Sequence, residues 1–339
     1  MQEKPSGLPA SPRRYLYGAL LAVALCALGI TAAGGLYRSA AALAVVKKGP
    51  LAAAGGLTVF LWLLEAWRLK AILALTGDEL PLKKIIPVNL AFSFAAAVTP
   101  AAGGGPPALA YLLYRQGIPG EKALAAAGAR TIFAVGTISL LNLVIIAAFR
   151  NYPGLPPAAE KLVLAGVGLV SGGILVLLHL SLHPGLILAL AARLPPPISA
   201  RAAEGVRGFS TFFRALIFSP RKNMLFLVLS LSFLYWGVFF SIGWLLARSL
   251  GSSAGWAGLV ARQLILHFLL AYVPLPGASG VAEMGYAAIF AGFVPEGALV
   301  AQVAGWRFFT YYLNILAGGF FFWWLVIRER KQPPAAGRR

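Results

Sequence analysis

Two breaks rich in glycine and proline interrupt apolar stretches of the sequence, at residues 99–107 and 272–283. The apolar pieces beside each break are too short to cross a bilayer alone, because spanning takes about 20 residues. At membrane depth such a break persists only where protein or a water-filled cavity satisfies the freed backbone groups. We therefore interpret both breaks as candidate binding sites. Their candidate residues are Pro100, Gly103, Gly104, Gly105, Pro274, Pro276, Gly277, Ser279 and Gly280.

These breaks favour an anion as ligand. The half-helices that follow them are expected to begin at about Pro106 and about Val281, and unpaired amides at a helix start attract negative charge. Glycine also lets a phosphate come close to the backbone. The first break is not a Walker loop, since no Gly-Lys-Ser/Thr follows Gly105.

Four charged residues are candidates for the same site: Glu283, Arg130, Arg262 and Arg307. For Glu283, in the first turn of its half-helix, three roles stay open: capping the helix, pairing with Arg307 or Arg262, or taking up a proton. An arginine inside a bilayer helix is costly, so we expect Arg130 or Arg307 to contact an anionic headgroup or Glu283. The alternative is that both arginines snorkel to an interface.

Two further groups of side chains have one functional and one plainer interpretation. Tyr311 and Tyr312 could line a headgroup cavity together with Trp306, although such residues are more often packing or interface anchors. Glu65 and Arg68 are three residues apart on one helix face, which indicates an interfacial ion pair.

The composition indicates a polytopic membrane protein. Of 339 residues, 59% are hydrophobic and 12% charged, and the mean hydropathy is +0.80. The net charge of +19 resides in short segments between apolar runs, which is typical of loops facing anionic lipid and argues against nucleic acid as a partner. Cys26 is the single cysteine, and the three histidines are scattered. We expect no metal, no cofactor and no enzymatic activity, because no catalytic set is recognisable.

The apolar segments predict an all-α polytopic membrane protein with about six transmembrane helices and two re-entrant broken-helix hairpins. The transmembrane helices are expected at residues 15–36, 51–75, 124–149, 162–182, 223–246 and 298–327, and the hairpins at residues 85–114 and 256–293. A basic amphipathic helix at residues 199–218, within a linker at 198–222, is expected on the inner leaflet. Residues 184–197 are left for a short extra helix.

A weak repeat relates two parts of this transmembrane domain of residues 15–327, at about 51–150 and about 223–327. Each part has a broken pair, a loop with glutamate and a long helix with an arginine, and the spacings from Pro100 to Glu121 and from Pro274 to Glu296 are 21 and 22 residues. Three segments separate the pairs, so the pairs enter from opposite sides. Tips that meet near the midplane would suit alternating access.

The distribution of cations predicts the orientation. Most basic segments fall inside the cell if the tails at residues 1–14 and 328–339 are both cytoplasmic, which places the protein in the cell membrane. The linker at residues 38–48, with three cations, is an exception. A homo-oligomer is an open alternative to a monomer.

The second break and the helix after it resemble a known family. The sequence Pro-Leu-Pro-Gly-Ala-Ser-Gly-Val-Ala-Glu at residues 274–283, followed by Trp-Arg-Phe-Phe-Thr-Tyr-Tyr at 306–312, is similar to the pattern of the lysylphosphatidylglycerol synthetase transmembrane region, or flippase-like, family. Residues 99–106 look like its first hairpin. Two departures are the apolar residues 107–110, where members often carry a charged or amide residue, and the lack of an aminoacyl-transferase domain, so we expect no synthesis of aminoacylated lipid.

The resemblance implies a lipid translocase that moves a phospholipid or another anionic lipid headgroup across the membrane. Its expected partners are membrane lipids. Two other functions stay open: a membrane scaffold for a lipid-modifying enzyme, and a secondary transporter of small solutes.

Overall fold

The computed structural model describes Ala24 and residues 46–149, 157–196, 198–218, 221–271 and 273–330. The expected transmembrane segment at residues 15–36 lies outside this part except for Ala24, as do the tail at 1–14 and residues 331–339. The predicted all-helical class is confirmed within these ranges. The helices are α1 (Lys48–Leu75), α2 (Leu82–Ala97), α3 (Gly105–Arg115), α4 (Gly120–Phe149), α5 (Pro157–Leu182), α6 (Gly185–Ala191), α7 (Ile198–Ile217), α8 (Lys222–Ser249), α9 (Trp256–Leu270), α10 (Val281–Phe290), α11 (Leu299–Arg307) and α12 (Leu313–Arg330).

Within the described residues, four helical stretches are long and apolar enough to cross a membrane. They match the segments predicted at residues 51–75, 124–149, 223–246 and 298–327. The fourth consists of α11 and α12, which a π-helical turn at Phe308–Tyr312 joins into one rod. Three other predicted segments are also helical. The segment predicted at residues 162–182 is α5, the short extra helix at 184–197 is α6, and the amphipathic helix at 199–218 is α7.

Helices α1 and α8 lie side by side and antiparallel. At one end the amide of Lys47 donates to the carbonyl of Ser249 at 2.9 Å, and at the other end Arg221 Nη1 donates to the carbonyl of Ala74. The first broken pair, α2 and α3, follows the end of α1, and the second, α9 and α10, follows the end of α8. The two broken pairs therefore start from opposite ends of the α1–α8 pair.

Each broken pair is built into its own hydrophobic core. One core joins α2 and α3 to the second half of α1, the first part of α4 and α12. The other joins α9 and α10 to the first half of α1, α8 and α11. Helix α1 contributes residues to both cores and therefore connects the two halves of the molecule.

Close packing of α12 against α2 depends on a glycine. A Cβ atom on Gly318 would lie 2.3 Å from the carbonyl oxygen of Leu90 and 2.9 Å from the Cβ of Phe94. No side chain fits there without separating the helices, because the nearest atom belongs to backbone.

We expect Gly318→Ala to lower the free energy of unfolding by about 1–3 kcal/mol, the usual cost of overpacking. The matched control is Gly237→Ala on α8, where a Cβ meets no atom within 4 Å, and where alanine should be neutral or stabilising by up to about 1 kcal/mol. Thermal unfolding of the two purified variants in detergent measures both effects. Equal stability of the two variants would contradict the close approach of α12 and α2.

Candidate functional site

The two breaks in the helices meet. We call residues 98–104 the first tip and residues 273–280 the second tip. Pro100 and Pro276 face each other as an isolated antiparallel β-bridge, and the hydroxyl of Tyr311 donates to the carbonyl of Ala97 at 2.9 Å. A Cβ on Gly277 would lie 2.4 Å from the Tyr311 ring. Tyr311 therefore lies directly beneath the second tip and holds the first.

Both tips contain alanines in the left-handed backbone region, where L-residues with a side chain are uncommon. The φ angles are 49° at Ala101, 56° at Ala102 and 51° at Ala278. Each such residue costs of order 1–3 kcal/mol and persists only where its surroundings enforce it. Strain of this kind clusters at binding and switch sites, which fits the interpretation of the tips as functional.

The amides of the first tip have partners within the tip. Pro106 and Pro107, at the start of α3, have no amide hydrogen to offer. The hydrogen bonds run from Gly103 to the Pro100 carbonyl, from Gly104 to Thr99 Oγ1 and from Gly105 to the Ala102 carbonyl, at 2.9, 2.8 and 3.1 Å. The expectation of unpaired amides at this helix start is therefore wrong, because the tight turn uses them.

At the second tip, Glu283 supplies the negative charge itself. Its side chain is 0% exposed, and Oε2 accepts from the amide of Gly280 at 2.5 Å. Its other oxygen, Oε1, accepts from Arg307 Nε at 2.6 Å, and Arg307 Nη2 donates to the Gly277 carbonyl at 3.0 Å. Two of the roles left open thus coexist: Glu283 caps α10 and pairs with Arg307. The buried Ser279 braces the same turn through a hydrogen bond to the Pro276 carbonyl.

Arg262 does not contact Glu283. Its guanidinium lies over the ring of Phe293, 4.7 Å from the centroid, beside a cleft of about 390 Å³ at the far end of the second broken pair. Gly255, Gly258 and Gly292 form part of the cleft wall. The structure therefore places Arg262 at the base of the pair, away from its tip.

The aromatic residues near Arg307 serve packing. Trp306 stacks on Tyr286 with ring centroids 4.0 Å apart, and Gln302 Nε2 donates to the Tyr286 hydroxyl and to the Gly243 carbonyl. Tyr312 makes a tilted ring contact with Tyr311. Trp306 and Tyr311 are thus buried and packed, and a role in lining a headgroup cavity stays a prediction.

Arg130 belongs to a buried ion cluster with Glu65 and Arg68. Glu65 Oε1 accepts from Arg68 Nη2 at 2.6 Å, and Glu65 Oε2 accepts from Arg130 Nη2. The predicted ion pair of Glu65 and Arg68 is thus formed, and at 6% and 1% exposure it is buried inside the protein. Counting carboxylates would have found the partner of Arg130, because Glu65 and Glu283 are the two acidic residues within the predicted apolar segments.

One edge of the second tip faces outward. Val281 is 47% and Met284 61% exposed, and Leu275 at the turn itself is 36% exposed. Pro100 and Ala101 of the first tip are exposed as well. The tips are thus accessible from the side of the protein rather than sealed in its core.

We expect Glu283→Gln and Arg307→Gln each to lower the free energy of unfolding by about 3–5 kcal/mol, since each leaves one buried group without its partner. The double substitution should cost clearly less than the sum of the two, because it leaves no uncompensated charge. Denaturant unfolding in detergent of the four proteins of this cycle gives the coupling energy. Additive losses would show that the two side chains stabilise the tip independently.

Comparison with known proteins agrees with this architecture. The model of the lysylphosphatidylglycerol synthase transmembrane region matches residues 14–318, which include both tips. A UPF0104 membrane protein of Archaeoglobus fulgidus is 25% identical over 275 residues, which cover 77% of this chain and 82% of that protein. The resemblance in the residues of the second tip is thereby confirmed, and the chain is a membrane protein that belongs to the lysylphosphatidylglycerol synthase transmembrane region family.

Proposed function

We propose that the protein is a lipid translocase that moves a phospholipid or another anionic lipid headgroup across the cytoplasmic membrane. The observation that carries this proposal is the direct contact between the two tips, Pro100 against Pro276, at the inner ends of broken pairs that start from opposite ends of α1 and α8. In the proposal these pairs are re-entrant hairpins, one from each leaflet, and both chain termini are cytoplasmic.

Inverted broken pairs with touching tips suit alternating access. A headgroup reaching the tips from one leaflet would leave toward the other when the opposite pair moves aside, as in transporters built from inverted repeats. The motion needs the tips to separate. Among the described residues they are joined by the Pro100–Pro276 bridge, and the hydrogen bond from Tyr311 to Ala97 holds the end of α2 beside the second tip.

The exposed edge of the tips supports a lipid rather than a small solute as substrate. Apolar side chains at this edge, Val281 and Met284 among them, would contact acyl chains while the headgroup enters between the tips. The cleft beside Arg262 would receive the headgroup at the base of the second pair. We propose downhill movement, with coupling to an ion through Glu283 as the alternative.

Reconstitution into liposomes that contain fluorescent phosphatidylglycerol or a labelled polyprenyl phosphate tests the activity. We expect the intact protein to expose label from the inner leaflet to a membrane-impermeant quencher faster than protein-free liposomes do. Movement of neither lipid by correctly folded protein would argue for a scaffold. Uptake of small solutes without lipid movement would argue for a solute transporter.

Locking the tips together should stop translocation. Residues opposed across an antiparallel bridge have Cα atoms about 4.5–5.5 Å apart, which lies within the range of about 4.4–6.8 Å that a disulfide spans. We expect Pro100→Cys/Pro276→Cys, made in a Cys26→Ser background, to translocate lipid when reduced and to fall to the protein-free rate when oxidised. The two single-cysteine variants are the controls for oxidation. Undiminished translocation by the cross-linked protein would show that the tips need not separate.

A further inference from the structure

Glu65, Arg68 and Arg130 form what we call the buried arginine cluster, which carries one more positive charge than negative. Arginine stays protonated in proteins, so two guanidinium groups face one carboxylate. All three side chains are at most 8% exposed. An uncompensated charge in such surroundings is costly, and the cluster therefore lacks an anion.

The cluster also has hydrogen-bond donors without acceptors. Arg68 Nε, Arg68 Nη1 and Arg130 Nε are buried and donate to no atom in the described part of the chain. Both oxygens of Glu65 already accept from the arginines. The missing acceptor must therefore come from outside these three residues.

Aromatic rings orient the two guanidinium groups. The Cζ atom of Arg130 lies over Phe92, 3.6 Å from the ring centroid, and that of Arg68 lies over Tyr235 at 5.2 Å. Stacking of this kind holds a guanidinium plane in place while its edge stays available for hydrogen bonds. The unused donors are thus held in position rather than free to rotate.

The second half of the molecule shows what a completed site looks like. There Arg307 uses Nε and Nη2, and Glu283 uses both oxygens, so the pair is neutral. The buried arginine cluster differs by the extra cation, Arg68. The deficit of one negative charge is thus found at this cluster and not at the pair of Glu283 and Arg307.

The buried arginine cluster lies next to the first tip and within the depth of the helices. Phe92, which carries Arg130, would lie 2.9 Å from a Cβ on Gly105, the first residue of α3. Arg68 is seven residues before the end of α1 and Arg130 ten after the start of α4, or about 10 and 15 Å along the helices. Those two ends meet where Lys122 donates to the Thr76 carbonyl.

We propose that the buried arginine cluster binds the phosphate of a monoanionic phosphodiester, with Arg68 and Arg130 donating to its two free oxygens. The charge of one phosphodiester equals the excess charge of the cluster, and a guanidinium edge matches two phosphate oxygens. The inference rests on the proposed function in that a lipid is the expected source of the phosphodiester. In this proposal the buried arginine cluster, and not the amides of the first tip, contacts the phosphate, because those amides are already hydrogen-bonded.

Binding in detergent tests this site without requiring transport. We expect dioctanoylphosphatidylglycerol to raise the melting temperature of the purified full chain, while dioctanoylglycerol, which lacks phosphate, does not. Arg68→Gln should weaken this binding at least about tenfold, equivalent to about 1.4 kcal/mol. Without ligand, the variant should be as stable as the parent protein or more stable, because Glu65 and Arg130 then form a neutral pair.

Matched variants separate the site from general effects of charge. Lys70→Gln removes a cation two residues away on α1, where Lys70 lies over Trp67 instead of in the cluster, and should bind the lipid like the parent protein. Should Arg68→Gln fail to fold, Arg68→Lys keeps the charge but not the fork of donors, and should show weakened binding as well.

Inorganic phosphate distinguishes the two sources of the ligand. Stabilisation by phosphatidylglycerol alone identifies a lipid headgroup, whereas equal, Arg68-dependent stabilisation by inorganic phosphate identifies free phosphate at the same site. No stabilisation by either probe, or stabilisation that is equal in the parent protein and both Arg68 variants, would overturn the inference. Lipid translocation in liposomes alongside such a result would leave the proposed function intact.

Discussion

In an apolar medium every backbone polar group and every charge needs a partner, and the architecture depends on how the two broken pairs satisfy this requirement. The first tip does so with its own turn, which uses the amides of Gly103, Gly104 and Gly105. The second does so with Glu283, which caps α10 and binds Arg307. The two tips, each closed in this way, meet at Pro100 and Pro276.

The two halves treat their arginine differently, although the sequence repeats. Arg307 binds a carboxylate at the tip of its own broken pair, whereas Arg130 binds Glu65 on α1, the helix common to both cores. Helix α1 also contributes Arg68, and with it the excess of positive charge. An inverted repeat with identical halves would present the same surface to both sides, whereas the extra cation of the buried arginine cluster makes these two halves unlike.

Much of this arrangement can be read from residue types, and some of it cannot. The helices and their breaks follow from apolar runs and from the effect of proline and glycine, and Glu283 with Arg307 follows from the cost of buried charge. Glu65 and Arg130 are 65 residues apart in the sequence. Their pairing depends on how α1 and α4 are aligned, which hydrophobic periodicity does not predict. The bonding of the first tip depends on left-handed Ala101 and Ala102, a conformation that alanine alone does not predict.

The distribution of rigid and weak contacts indicates where the molecule can move. Helices α2 and α12 are packed closely, with Gly318 against the backbone of Leu90, so separating them would disrupt a core. In the part of the chain that the structure describes, the tips meet at one bridge, and Tyr311 adds one hydrogen bond to Ala97 at the end of α2, each worth about 1 kcal/mol. Strained alanines lie on both sides of the bridge. A ligand shifts such an equilibrium only as far as it binds one state better than the other. The unused donors of Arg68 and Arg130 lie in a cluster whose side chains are at most 8% exposed, so in the proposal a phosphate reaches them only in a state that opens this cluster, and its binding favours that state.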